Sequence, residues 1–340
     1  MRYFEFGQLN LDAYEILDED VPSGTRPRYV LKNKVSGHKF FLKTYSKNPR
    51  EIWAEVFASK IGEEIGIKIQ NAVPKRLPAE LEAKFRQDFG PILKKDWEPI
   101  GVISNDVFPK GFDQLKGGDL LETSLNGSEC FDLTYIEEKL RGQYYASDDL
   151  LQDFADMIIF DFLIGNMDRH YDNWAILQNG SVIKQMLLIK DPVAVGRLLK
   201  ARKFCPLFDH GSSLLYELND RELSKHLSDT DSFVDNYIIN NKNRFFSVLD
   251  KKISAPNLIL IHTTLLKDDW GKRFTKCIKE RILDIDLLRV TQLILQMPND
   301  DILGYSYERK KLLNFSIQKR VDVLHDIAIK GTISIGAHHE

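Results

Sequence analysis

Four ionisable residues, Asp168, Arg169, His170 and Asp172, fall within five positions, after an apolar run that ends at Ile164 and before another that begins at Trp174. A soluble chain seldom sets so much charge between two apolar segments unless a site uses it. Asp168 and Asn173 have four residues between them. At that spacing the aspartate can accept a proton from an attacking hydroxyl while the asparagine turns a carbonyl oxygen to a divalent cation, as in phosphoryl transfer. Mg²⁺ takes hard oxygen ligands, with one or two carboxylates sharing it with phosphate oxygens and water. Asp209, in Asp209-His210-Gly211, is the candidate second ligand, and Gly211 is expected to let the backbone turn sharply after it. Asp168 and Asp209 each follow an apolar segment able to serve as a rigid strut.

Phosphates also need cations. In the stretch Lys39–Tyr45, strand alternation puts Phe41, Lys43 and Tyr45 on one face. Asn48-Pro49 then opens a helix expected to run from Pro49 to Ile65 and to stop at Gly66. Trp53, Phe57, Ile61 and Ile65 form its apolar stripe, with Glu55 at the stripe's edge. A strand lysine followed twelve residues later by a helix glutamate is the arrangement in which the carboxylate holds the ammonium against nucleotide phosphates. Lys43 and Glu55 are the favoured pair, Lys32 and Glu51 the alternative. Between strands, Pro22-Ser23-Gly24-Thr25-Arg26-Pro27 is small and polar. Ser23, Gly24 and Thr25 could present backbone N–H groups and hydroxyls to a phosphate, although the same composition also describes a plain surface turn.

The elements that must position these residues divide the chain in two. Short aromatic and β-branched segments at Tyr3–Phe6, Ala13–Leu17, Arg28–Leu31 and Lys39–Tyr45 read as strands, the last two joined by a turn at Val35-Ser36-Gly37-His38. Ile69–Leu93 reads as a strand plus a surface segment, and Ile100–Phe108 as another strand, after which Pro109-Lys110-Gly111 breaks the pattern. From Asp148 the period becomes helical, with Leu151, Phe154, Ile158 and Phe162 on one stripe. Trp174–Leu177 and Val182–Ile189 read as strands about an Asn179-Gly180 turn, Cys205–Phe208 as a short strand, and the chain beyond Leu215 as mainly helical. The expectation is an α+β chain of two lobes: a β-rich lobe over 1–110 and a mainly helical lobe over 111–335.

With 340 residues two domains or two lobes are expected, and the chain can bury a sizeable core. A net charge of −3 gives no reason to invoke a nucleic-acid partner. Cys130, Cys205 and Cys277 are odd in number and in no metal-ligand spacing, so they read as reduced thiols. The sequence shows no secretory leader and no membrane span, so the expected location is the cytoplasm, with signal-less secretion left open. A hydrolase triad lacks a nucleophile in any recognisable setting. A metal-dependent phosphohydrolase cluster of Asp168, His170, Asp172, Asp209 and His210 stands as an alternative that leaves Asn173 unused.

Asn166-x-Asp168-Arg169-His170-x2-Asn173, followed by Pro206-Leu207-Phe208-Asp209-x-Gly211-Ser212-Ser213, resembles the HipA-like Ser/Thr kinases, a group that includes bacterial toxin and effector kinases. Asp172-Asn173-Trp174 is also similar to the loop of type II phosphatidylinositol 4-kinases. The resemblance covers about residues 20–215 in motif order, and Ser23–Arg28 matches the family's phosphate loop only loosely. It implies a two-lobed protein-kinase-like fold related to phosphoinositide kinases, and an ATP- and Mg²⁺-dependent transfer to a Ser or Thr hydroxyl of a protein substrate. In that scheme Asp168 is the base, His170 braces the loop, Asn173 and Asp209 hold Mg²⁺, and Lys43, paired with Glu55, contacts ATP. Autophosphorylation in the phosphate loop, at Ser23 or Thr25, and restraint by an antitoxin-like partner are further implications. The departures are His210 in place of an aromatic residue, the forty-one positions between Asp168 and Asp209, which imply an insertion around Lys190–Lys203, and no Ala-Pro-Glu motif. A phosphoinositide-type lipid kinase and a nucleotide-binding pseudokinase are the remaining alternatives.

Overall fold

The alternating strands of the first third of the chain close into one sheet. A computed structural model describes residues 6–17, 26–45, 48–108, 111–122, 131–144, 146–180, 202–248, 251–299 and 304–333. Ser23, Gly24 and Thr25, the expected strand Val182–Ile189 and most of the expected insertion at Lys190–Lys203 lie outside the described residues. Strands β1 (Gly7–Gln8), β2 (Tyr14–Leu17), β3 (Arg28–Asn33), β4 (Lys39–Lys43), β5 (Ala72–Arg76) and β6 (Ile100–Asn105) form a sheet in the order β1-β5-β6-β4-β3-β2. All pairs are antiparallel except β1 with β5. Lys43, at the end of β4, stands between Arg28 and Val102 in register. β6 can lie close beside it because residue 101 is glycine: a Cβ there would come 2.7 Å from the Lys43 carbonyl oxygen.

Helix α1 (Arg50–Glu64) packs on this sheet. Asn48 accepts the Arg50 N–H through Oδ1 at 3.1 Å, so the asparagine serves the first turn as expected. The helix is buried almost all round, from Ile52 to Ser59 and again at Ile61 and Gly62, and not along one stripe. Glu55 therefore lies inside, 5% exposed, where the sequence pattern placed it at an edge. Helix α2 (Ala79–Phe89) takes most of the stretch expected to be a surface segment; only Leu81 and Phe85 of it are buried, too few to make a strong period.

Past Phe108, β7 (Phe112–Lys116) runs where a break was expected, and it pairs with β8 (Ala175–Asn179), which pairs with β9 (Arg202–Phe204). Helix α3 (Gly117–Leu120), helix α4 (Leu133–Tyr144) and helix α5 (Asp148–Ile164) follow β7 in sequence. Ser147 caps α5 by accepting the Leu150 N–H at 3.2 Å. Gly165 ends it at φ +66°, in the left-handed conformation that glycine adopts without a Cβ penalty. Every residue of α5 from Phe154 to Ile164 is buried. Phe154 meets Trp174 edge-on at 5.0 Å and lies near Phe204 and Trp270, so this helix lies at the centre of the packing of the helical part. The remaining helices include Asp220–Ser228, Leu287–Gln296 and the long Tyr307–Lys330, with a small two-stranded sheet at Lys242–Val248 and Lys251–Ser254. The result is a mixed α+β fold of two lobes, a sheet-built first part and a mainly helical second. No helix among the described residues is long and apolar enough to cross a membrane.

Gly117 is where β7 meets the loop around Asn173: a Cβ there would fall 2.5 Å from Trp174 Cζ2 and into the Tyr171 carbonyl oxygen. Gly117→Ala is expected to destabilise the protein by about 1–3 kcal/mol through overpacking. Gly142→Ala, which would meet nothing within 4 Å, should stabilise it by up to about 1 kcal/mol through helix propensity. Urea unfolding of the two variants measures both, and an equal effect would contradict the contact assigned to Gly117.

Candidate active site

The loop from Gly165 to Asn173 is too polar to pack as a core segment, and one arginine holds it in shape. Arg169, 1% exposed, donates through Nε to Asp161 Oδ2 at 2.7 Å and through Nη2 to Asp161 Oδ1 at 2.9 Å. Its Nη1 also donates to the carbonyls of Asn173 and of Phe208, the latter at 2.8 Å. Its Nη2 lies 3.2 Å from His210 Nδ1. A fork–fork pair of this kind has the planar geometry that only arginine supplies. The guanidinium thus ties the end of α5, the loop of Asp168 and the segment before Asp209 to one point. Asn166 adds to it, donating to Asp161 Oδ1 at 3.0 Å and accepting the Asp168 N–H at 3.2 Å.

Asn173 Nδ2 donates to the Asp168 carbonyl at 2.9 Å, which leaves the side-chain oxygen as the atom this amide can offer a cation. His170 accepts the Asp172 N–H through Nδ1 at 3.2 Å, and its carbonyl accepts the Asn173 N–H at 3.0 Å. It braces the turn locally, while the long-range brace is Arg169. Asp161 and Arg26 went unassigned in the sequence. The signal for Asp161 is a single carboxylate within the apolar run Met157–Ile164.

Asp209 sits at φ +62°, a conformation uncommon for residues other than glycine. The sharp turn expected at Gly211 is made here by Asp209 itself. Gly211 has a different use: a Cβ there would lie 2.8 Å from Arg26 Cζ, so glycine makes room for that side chain. Arg26 donates to Glu55 Oε1 at 3.1 Å and also pairs with Asp209 Oδ1. Lys43 Nζ is 3.4 Å from Glu55 Oε1 and 3.3 Å from Asp209 Oδ1. Glu55 Oε2 accepts the His210 N–H at 3.0 Å. The structure therefore brings together Lys43, Glu55 and Asp209, from β4, α1 and the segment after β9. The alternative Lys32 instead faces Glu15 at 3.9 Å, on the next strand.

The electrostatics follow from this arrangement. Burial alone would raise the Asp209 carboxyl, but Arg26, Lys43 and Arg28 outweigh it and hold the group far below the usual carboxylate range. Glu55 is likewise lowered, burial being overcome by Lys43 and Arg26. Burial and the neighbouring Arg169 push His210 down to about 4, so its imidazole is neutral and Nδ1 is free to accept from Arg169. Its ring packs edge-on against Phe160 at 5.5 Å. His210 is thus a core residue beside the loop, and among the described residues Asp168, His170, Asp172, Asp209 and His210 do not come together as the metal-holding group of a phosphohydrolase.

The oxygen donors that this site could offer a divalent cation are the Asn173 side-chain oxygen and the Asp209 carboxylate. Among the described residues no three His, Cys, Asp or Glu side chains form a metal-holding group of their own. Two oxygen donors and no protein cage is the donor set of a cation shared with substrate phosphates, so the residues fit.

No protein-family model matches the sequence, and no curated protein matches it. Among solved structures, the chain is similar to a Helicobacter pylori protein described as the proinflammatory kinase CtkA, with a TM-score of 0.66 and 20% identity over 95% of this chain and 99% of that one. At that identity the likeness is one of fold.

His210 gives the site a pH signature. Its unfolded-state value is 6.5 and its folded value about 4, so the unfolded chain binds the extra proton between them and stability falls as pH drops from about 6.5 to about 4. Arg169, Glu55 and Asp161 face it. The urea midpoint of the wild type should decline over that window more steeply than that of His210→Gln; parallel profiles would show that His210 titrates normally in the folded protein.

Proposed function

We propose that this chain is an ATP- and Mg²⁺-dependent kinase of the HipA-like type that phosphorylates a Ser or Thr hydroxyl, on a protein substrate or on itself. The observation that carries the reading is the meeting of Lys43, Glu55 and Asp209, far apart in sequence, within ion-pair distance, with the Asp209 segment tied through Arg169 to the loop of Asp168 and Asn173. The fold shared with a kinase structure supports it.

In this reading Asp168 accepts the proton of the acceptor hydroxyl as its oxygen bonds to the γ-phosphorus, and the bond to the β–γ bridging oxygen breaks to release ADP. Lys43, steadied by Glu55, lies against the phosphates and neutralises their charge. Asn173 and Asp209 would hold Mg²⁺, which supplies further charge neutralisation on the phosphate oxygens. Arg169 keeps the two acidic loops in register. Ser23 and Thr25 are the expected sites of self-modification. Cys205 and Cys277 are buried free thiols, Cys205 with its pKa pushed up by burial, in keeping with a cytoplasmic protein.

Incubation with Mg²⁺ and γ-labelled ATP should label protein, with phosphate at Ser23 or Thr25 by mass spectrometry, and Asp168→Ala should lower labelling by about 10²–10⁴-fold. Labelling that survives this change removes Asp168 from its role, and label appearing only on added phosphatidylinositol would make the enzyme a lipid kinase. Lys43→Ala should weaken ATP binding by calorimetry; thermal stabilisation by Mg²⁺–ATP without any turnover would make the protein a pseudokinase.

A further inference from the structure

Two cations meet the carboxylates Glu55 and Asp209, and the phosphotransfer reading uses only one of them. Lys43 has its place against the phosphates. Arg26 has none, yet it is bound as closely: it donates to Glu55 Oε1 at 3.1 Å and pairs with Asp209 Oδ1, the oxygen that Lys43 Nζ reaches at 3.3 Å. Its side chain is 18% exposed, so much of the guanidinium has left water for this position. Burial works against its charge, but Asp209, Glu55 and Glu51 outweigh that and hold it firmly protonated. The neighbouring glycine is shaped to it, since a Cβ on Gly211 would collide with the guanidinium.

A divalent cation on Asp209 needs the same carboxylate. A guanidinium and a metal ion cannot share one oxygen at contact distance without strong repulsion in a site so poorly solvated. We propose that Arg26 is a tethered counter-ion that occupies the metal's place on Asp209 when the site is empty, and that the metal binds only by displacing it. This rests on the reading of Asp209 as a metal ligand. Metal alone must then break a desolvated ion pair and binds weakly. Nucleotide phosphates offer the released guanidinium a bidentate partner, so metal and nucleotide bind with positive cooperativity. The chain would thereby keep its metal site shut until the nucleotide arrives.

Binding of Mn²⁺, followed by the electron-spin signal of the free ion, tests this without reference to turnover. Arg26→Gln removes the competing charge, and Gly211→Ala pushes the guanidinium aside while leaving the charge in the chain; the second variant serves if the first does not fold. Without nucleotide, both should bind Mn²⁺ about tenfold tighter than the wild type, the size expected for loss of one partly buried charge pair. Adding Asp209→Asn to either should abolish the gain. Unchanged or weaker Mn²⁺ binding in both variants, with the wild type still binding Mn²⁺ beside a non-hydrolysable ATP analogue, overturns the counter-ion proposal and leaves the kinase reading standing. If the wild type and both variants bind no Mn²⁺ even with the analogue, both readings fall.

Discussion

The fold depends on the Arg169–Asp161 ion pair. Both groups are buried, at 1% and 4% exposure. A buried charge is tolerable only when its partner and its remaining hydrogen bonds are in place, and removing one partner of such a pair costs about 3–5 kcal/mol. Asp161 belongs to a helix buried in the main hydrophobic core, so the pair's position is set by packing. Through its remaining donors Arg169 then fixes the carbonyls of Asn173 and Phe208. The two loops that carry the acidic chemistry come from segments about forty residues apart in sequence, and this one guanidinium sets their relative position. A lysine could supply the charge but not the planar fork.

A second electrostatic knot joins the first lobe to this frame. Lys43 on β4 and Glu55 on α1 reach Asp209, and Glu55 also accepts the His210 N–H. Asp209 stays ionised despite burial because Arg26, Lys43 and Arg28 face it, and Glu55 because Lys43 and Arg26 do. That excess of positive charge around two carboxylates favours the approach of a polyanion. Neutral His210 fits the same logic: a charged imidazole beside Arg169 would set two buried cations against each other.

Much of this was legible in the sequence where the signal was local. Asp168, Asn173 and Asp209 stand in short motifs whose chemistry depends on residue type and spacing. Lys43 and Glu55 were legible because a strand followed at once by a helix fixes their geometry. Helix α2 was missed because it buries only Leu81 and Phe85, and β7 because its half-buried residues alternate weakly after Gly111. Arg26 could not be assigned, since its partner Asp209 lies 183 residues away. The depth of Glu55 was missed for a related reason: α1 is enclosed on nearly every side, and only the tertiary fold could show that a glutamate there has cations waiting for it.

If these separate segments compose one nucleotide and metal site, ion and phosphates must meet where the segments converge. A crystal structure with Mn²⁺ and a non-hydrolysable ATP analogue tests it most directly, because the ion can be located by its anomalous signal. Mn²⁺ is expected on Asp209 and Asn173, with phosphates within reach of Lys43 Nζ and the γ-phosphate beside Asp168. An ion bound to neither residue, or a nucleotide seated away from Lys43, would contradict it.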